Sequence, residues 1–177
     1  SYQIDIIGKD HDTYASGGTA PLTFQMHDCY ETGYSMTSSN ANSGGWKNSA
    51  MRTTHLPAIL KFMPTEVQND IREVSKKTST GNASSTIETV SDKLFLLSMI
   101  EVFGYTANYA AEGEGTQYGY YKAGNSNVKK GNGIVNPWWL RSPRVKYDIS
   151  WCYVDSDGYI GSTGPISEFD VAFGFCF

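Results

Sequence analysis

Two His–Asp dipeptides, His11-Asp12 and His27-Asp28, are the first places where this chain could hold a metal ion or run acid–base chemistry. A metal site needs three or four converging ligands, and two dipeptides separated by a polar loop do not supply them. Hydrogen bonding within the loops is the plainer account of both pairs. His55 borders an apolar helical face and is read as a satisfied boundary residue. The three cysteines, Cys29, Cys152 and Cys176, are too few for a disulfide framework, odd in number, and form no C-x-x-C. Cys152 and Cys176 could meet on neighbouring strands, but buried thiols are the simpler expectation, and the redox compartment is left open.

Other sequence patterns point away from catalysis. No G-x-S-x-G elbow frames a serine. Asp155-Ser-Asp157-Gly158 resembles the start of a calcium loop but lacks its later ligands. It is better read as a hairpin turn, because Asp and Gly tolerate positive φ. Glu112-Gly-Glu-Gly115 is no dinucleotide fingerprint, since no strand leads into it and no helix follows. Asn82-Ala-Ser84 is a formal glycosylation sequon and nothing more. Arg141 follows the Trp138-Trp139 pair in an otherwise apolar segment. Its guanidinium is expected to meet a carboxylate or backbone carbonyls inside the fold, organising a sheet rather than a ligand. Neither catalytic residues, nor a metal, nor a cofactor is expected.

Composition agrees with a contact surface. The 177 residues fit one domain, and a net charge of −4 argues against a nucleic-acid binder built on phosphate neutralisation. No run approaches the roughly eighteen apolar residues of a membrane span, so direct membrane insertion is not expected. The chain opens at Ser1 without a charged-then-apolar leader, which leaves room for an upstream segment. Tyr 12, Phe 8, Trp 4 and Gly 18, with many Ser and Asn, suit recognition better than a catalytic cleft.

The elements that must position these residues are read from periodicity. Residues 2–8 and 22–26 predict strands, and residues 11–45 are polar and turn-rich, with a Ser/Asn run at 38–43. Leu56, Ile59, Leu60 and Met63 share a helical face, with a break expected near His55 and a restart at Pro57. The Thr65–Gln68 spacing of a capping box, the Val67, Ile71 and Val74 stripe, and a basic end at Lys76-Lys77 predict a second helix. Residues 86–90 read as a short strand, 93–97 as an apolar run of strand length, and 98–103 as a short helix stopped by Gly104. Residues 104–136 return to Gly, Tyr, Asn and Glu, either a structured excursion or a mobile one. From Pro137 onward the chain reads as β.

A larger pattern then stands out. Gly44-Gly-Trp46-x-x-Ser49-x-Met51-Arg52, Asp92-Lys-Leu-Phe-Leu-Leu-Ser98, Glu101-Val-Phe-Gly104, Glu114-Gly-Thr-Gln-Tyr118 and Trp138-Trp-Leu-Arg-Ser-Pro143 follow in that order. This resembles a bacterial and viral domain family with a W-W-L-R-S-P signature. That family is similar in turn to the C-type lectin-like fold of formylglycine-generating-enzyme-like proteins and of the variable proteins of diversity-generating retroelements. The resemblance implies a single α+β domain over 1–177, with two helices packed on small antiparallel sheets and long irregular loops. It further implies a ligand surface in the C-terminal third, 144–177, which is the stretch diversified in the retroelement proteins. Where relatives close on a Gly-Val-Arg-Pro-like string, this chain closes Gly174-Phe-Cys-Phe177.

The expected surface positions are Tyr147, Asp148, Ser150, Cys152, Tyr153, Asp155, Ser167, Phe169, Asp170, Ala172 and Phe173. Strand alternation puts Ile149, Trp151 and Tyr153 on one face and Ser150, Cys152 and Val154 on the other, with Trp151 taken as core. Tyr147, Asp148, Ser167, Phe169 and Asp170 flank turn residues and are the better exposed, while Phe173 and Phe175 fit the core equally well. The expectation is a non-enzymatic domain, extracellular or on a cell or virion surface such as a phage tail, binding a protein or glycan receptor. The alternative is a formylglycine-generating-type thiol oxidase using Cys152 and Cys176, whose chemistry needs a reactive pair or a copper ion. Calcium-dependent sugar binding lacks its carboxylate and amide cluster.

Overall fold

The first and the last strand lie in the same sheet, and that closure frames everything between them. The computed structural model describes residues 2–177, with only the backbone of Glu31 and Thr32. Strand β1 (Ile4–Lys9) pairs antiparallel with β2 (Leu22–Met26), and β2 also takes β12 (Gly174–Cys176) on its other edge. The larger sheet holds β3 (Tyr30–Tyr34), β8 (Trp138–Pro143), β9 (Trp151–Val154), β10 (Ile160–Thr163) and β11 (Phe169–Val171) in the order β10-β9-β8-β11-β3. Its pairings are antiparallel except β11 beside β8, which is parallel. Two hairpins stand apart, β4 (Val74–Ser79) with β5 (Ile87–Asp92) and the short β6 (Lys130–Gly131) with β7 (Ile134–Val135). The mixed α+β architecture is as expected from sequence.

The helices are short. In chain order they are α1 (Gly45–Asn48), α2 (Leu56–Lys61), α3 (Thr65–Asp70), α4 (Met99–Phe103) and α5 (Gly119–Lys122), so five short pieces stand where the resemblance implies two helices. The break expected at His55 is absent. One wide π-type turn, Met51–His55, runs straight into α2, with the Leu56 N–H donating to the Met51 carbonyl five residues back. Pro57 has no N–H to give, and the widened turn just before it keeps the helix continuous.

The second expected helix is corrected more heavily. It stops at Asp70, and Thr65 does not cap it; Pro64 occupies that position without a side-chain bond. Gln68 instead turns its amide back to the Met63 and Lys61 carbonyls, closing the end of α2. Residues 74–79 pair as a strand, where Lys76 and Thr78 point inward and Lys77 outward. A period-2 reading of V-S-K-K-T-S was hidden by a lysine whose charge is neutralised inside. The apolar run 93–97 is also not a strand, although Phe95 makes a two-bond bridge to Gly174. A Cβ at Gly174 would sit 2.8 Å from the Phe95 ring, so only glycine permits that approach.

By contrast α4 forms as expected, with Ser98 accepting from the Glu101 N–H, Glu101 answering the Ser98 N–H, and Gly104 left-handed at the end. Residues 104–136 are structured, burying Glu114, Tyr118, Tyr121 and Lys129. The last apolar run splits, because Ala172-Phe173 carries the chain from the larger sheet to the smaller. Trp46, Trp138, Trp139 and Trp151 fill the core with no exposure. On the outer side of the smaller sheet, Ile4, Ile6, Phe24, Phe175 and Phe177 line a broad apolar groove of about 560 Å³ with Met63 and Val67. No helix among the described residues is long and apolar enough to cross a membrane.

Candidate functional site

Most connections between β-strands are short, and the one between β8 and β9 carries the site. Residues 144–150 leave β8 after Pro143 and return at Trp151, the neck closed by Arg144 N–H donating to the Ser150 carbonyl at 3.0 Å. Under this loop sits Asn42, fully buried, from the Ser/Asn run. Its side-chain amide donates to the carbonyls of Tyr147 and Ser150, both at 2.8 Å, and of Arg144 at 3.3 Å. Its own N–H donates to the Asp148 carbonyl at 2.6 Å. The amide oxygen accepts from the Asn82 N–H at 2.7 Å. Carbonyls on one side and an N–H on the other leave only one orientation of the amide that satisfies both.

This clamp tolerates backbone strain. Lys146, Asn82 and Ala83 all have positive φ, at 67°, 56° and 57°, and the Lys146 N–H points to the Ala83 carbonyl. Non-glycine residues enter that region at a cost of roughly 1–2 kcal/mol each, and such strain survives only where surroundings over-determine it. Gly81 completes the arrangement, since a Cβ there would fall 1.8 Å from the Asn42 carbonyl oxygen. Held this way, the loop exposes Tyr147, Asp148 and Ile149, Tyr147 at 52% and Ile149 at 50%. Arg144, half-buried, lays its guanidinium 4.3 Å from the ring centroids of both Tyr109 and Tyr147 and donates to the Ser162 hydroxyl.

The eleven expected surface residues do not form one patch. Tyr147, Asp148 and Ser150 belong to the clamped loop. Tyr153 and Phe169 pack edge to face at 4.7 Å against each other and around Trp139, half-buried. Asp155 builds the β9–β10 turn, its carboxylate accepting from the N–H groups of Asp157 and Tyr159. Ser167 lies in the Gly164 turn, and Asp170 accepts from the Asn136 amide at 3.0 Å. Cys152 and Ala172 are fully buried and Phe173 is 3% exposed, so these three are corrected to interior positions. Strand alternation fails here because β9 lies inside a sheet covered on both faces, leaving Trp151, Cys152 and Val154 alike buried. Sequence reasoning missed Asn42, Arg144, Tyr109 and Ser162.

A second polar assembly lies beneath the scaffold. Lys76 Nζ is 2.8 Å from both Asp12 and Glu101, 2.9 Å from the Tyr118 hydroxyl, and 4.1 Å from the Phe95 ring centroid. Asp12 also accepts from Thr23 and Tyr118. Arg141, with no exposure, forks onto both Glu101 oxygens and donates to the carbonyls of Lys77, Leu96 and Glu114. Burial works to raise the carboxyls of Asp12 and Glu101, but Lys76 and Arg141 outweigh it and hold both below the usual carboxylate range. Glu114 is pushed upward by burial, because Arg141 and its hydrogen bonds do not make up the loss of water, and its Oε2 has no partner.

A cleft of about 290 Å³ reaches this network beside His11 and Thr116. Asp12 and Glu101 are spent on their cations, so the assembly fixes the fold rather than offering a base. Arg141 does what its apolar context implied. The S-x-x-E spacing of Ser98 and Glu101 was the sequence signal for one of its partners.

The two His–Asp dipeptides do not converge. His27 pairs with Asp5 at 2.8 Å, whereas His11 stacks on Tyr118 at 4.0 Å. Among the described residues no three His, Cys, Asp or Glu side chains are grouped to hold a metal ion. Asp28 caps the Lys130 N–H, and His55 stacks on Tyr34 at 4.5 Å.

The cysteines are free and buried. Burial, the dominant influence on each, pushes the Cys29 thiol up to about 12 and Cys176 up to about 11, and raises Cys152 further. Thiolate is the reactive form. In the native protein all three thiols are therefore expected to resist a disulfide exchange reagent near pH 8, roughly the ordinary thiol range, and to react together once denaturant is added. Rapid labelling of Cys152 without denaturant would contradict this.

No curated protein and no solved structure matches the chain. The family model described as "Domain of unknown function (DUF6273)" matches residues 23–172, a stretch that runs from β2 through the clamped loop to the end of β11. Most of the chain is covered by that match, and it belongs to the DUF6273 family.

Proposed function

We propose that this domain is a non-enzymatic recognition module that presents its C-terminal third to a protein or glycan receptor, outside a cell or on a virion surface. The observation that carries this reading is the Asn42 clamp, which fixes a strained loop while leaving its aromatic and apolar side chains outward. A surface organised before its partner arrives loses less entropy on binding, and tyrosine supplies contact area at low rotamer cost.

The finer reading, a C-type lectin-like fold related to diversity-generating retroelement variable proteins, is supported by the first and last strands sharing a sheet, with short helices and irregular connections between them. It also fits the chemistry of the clamp. Asn42 binds carbonyls that every residue type possesses, so Val145, Tyr147, Asp148 and Ile149 can change without loosening it. The thiol-oxidase alternative is disfavoured by Cys152 and Cys176 lying buried in different sheets with raised thiols.

Sequencing this gene across its natural population tests the reading. Substitutions concentrated at outward codons of 144–177, with Asn42 and Arg141 constant, are expected. A uniform low rate along the chain would remove the diversified display surface.

A further inference from the structure

Resting on that recognition reading, we propose that Arg144 is the anchor of the site and takes the carboxylate of an acidic side chain carried by a protein partner. The other buried or half-buried arginines spend their charge on acids, Arg52 on Asp92 and Arg141 on Glu101. Arg144 differs. Among the described residues no carboxylate lies within ion-pair reach of it, and its neighbours are the two tyrosine rings and the Ser162 hydroxyl. Its Nε is shielded from solvent and has no hydrogen-bond partner.

Rings lying over a guanidinium strip water from its faces, and with Nε shielded the edge formed by the two terminal nitrogens is where its charge can be met. That edge matches a carboxylate fork, and a charge-assisted pair of this kind is stronger than a neutral hydrogen bond. The rings also set the side chain's direction, so little rotamer freedom remains to be lost on binding.

The surroundings narrow the partner. Lys146, exposed two residues along, adds a second cation, while Tyr147 and Ile149 expose apolar surface on the same loop. Asp148 is the loop's own exposed acid, and it opposes a densely acidic tract. The arrangement therefore fits an isolated Asp or Glu flanked by apolar residues, as on a folded protein or a peptide segment. The exposed isoleucine beside the cations offers no hydrogen bond to a hydroxyl-rich sugar and gains contact from an apolar side chain, which favours protein over glycan.

The test uses the intact domain on an array of short peptides, each Asp- or Glu-containing peptide paired with its Asn or Gln twin. The wild-type domain is expected to prefer the carboxylate twin by about tenfold or more, the size of one good ionic contact, and to lose that preference as salt is raised. R144Q is expected to bind both twins alike. R144K keeps the charge but not the fork and should retain only part of the preference. Melting temperatures of both variants verify that the fold survives, and R144K carries the test if R144Q unfolds. Equal binding of the twins by the wild-type domain, or a preference that persists in R144Q, overturns the role of Arg144 while leaving a recognition surface in place. Silence toward both series overturns the assignment to a protein carboxylate, and the population sequencing then judges the recognition reading on its own.

Discussion

Replacing Arg141 by Gln is expected to destabilise the domain by about 3–5 kcal/mol, the cost of breaking a buried ion pair from one side. Glu101 would remain fully buried with only Lys76 to balance it, while three carbonyls would lose their donor. Domains of this kind have about 5–15 kcal/mol in total, so a large drop in urea midpoint is expected and expression at growth temperature is at risk. R141K is expected to fare little better, since a single ammonium cannot serve both Glu101 oxygens and three carbonyls at once.

The pH dependence has a definite sign. Asp12 and Glu101 are held below their unfolded values, so their stabilisation is fully present above roughly pH 4.5 and drains away as pH falls below that toward the folded values. R141Q should flatten this acid limb, because Arg141 is the largest influence lowering Glu101. Glu114 behaves oppositely. Its carboxyl is raised by burial, so its ionised form works against folding at neutral pH, and E114Q should match or exceed the wild-type midpoint there. Urea titrations of the three proteins between about pH 3 and pH 8 give the comparison, and an R141Q midpoint near wild type would show that the network is not what holds β4, α4 and β8 together.

Removing the clamp with N42A is expected to cost about 2–4 kcal/mol, because three part-buried loop carbonyls lose their donor and the Asn82 N–H its acceptor. The loss should be felt first in the loop. Lys146 is exposed but held at positive φ, a conformation a protease cannot bind as an extended substrate. Cleavage by trypsin after Lys146 tracks the population of the opened loop, so N42A should raise its rate by at least about tenfold. N42D should be no better, since it turns carboxylate oxygen toward carbonyl oxygen. Identical cleavage of wild type and N42A under native conditions would mean that the loop is held by something other than Asn42.

What could be read from the sequence was mainly what local chemistry decides. The Asp155–Gly158 turn, α4 with its Gly104 stop, and the strand character of the closing third depend on residues close in sequence. Lys76 defeated that approach, since its neutralising partners Asp12 and Glu101 are 64 and 25 positions away and nothing nearby hints at them. At the site, Tyr147 and Asp148 could be placed on an exposed loop because they flank turn residues. Strand alternation offered Ser150 only as a strand position, whereas it lies at the loop's neck. Asn42 was missed, because its acceptors lie 102 to 108 residues downstream and a buried asparagine looks like any other in a polar run. Cys152 was misplaced because alternation separates inside from outside only when one face of a sheet meets water, and Ala172 because it lies in the buried link between the two sheets rather than in a strand.

Both sheets wait for their final strand. β11 seats between β8 and β3, and β12 closes on β2, whose other partner β1 begins the fold. A chain emerging from the ribosome therefore carries β1 and β2 with an open edge, and β3 with no partner, until some 140 further residues have been made. Non-local pairing of this kind places the domain among slow folders, with times from milliseconds to seconds or longer. Its half-made sheets are an aggregation hazard during that delay. The domain completes itself only once β11 and β12 have been made, and protection of the waiting edges until then is a requirement of its biogenesis.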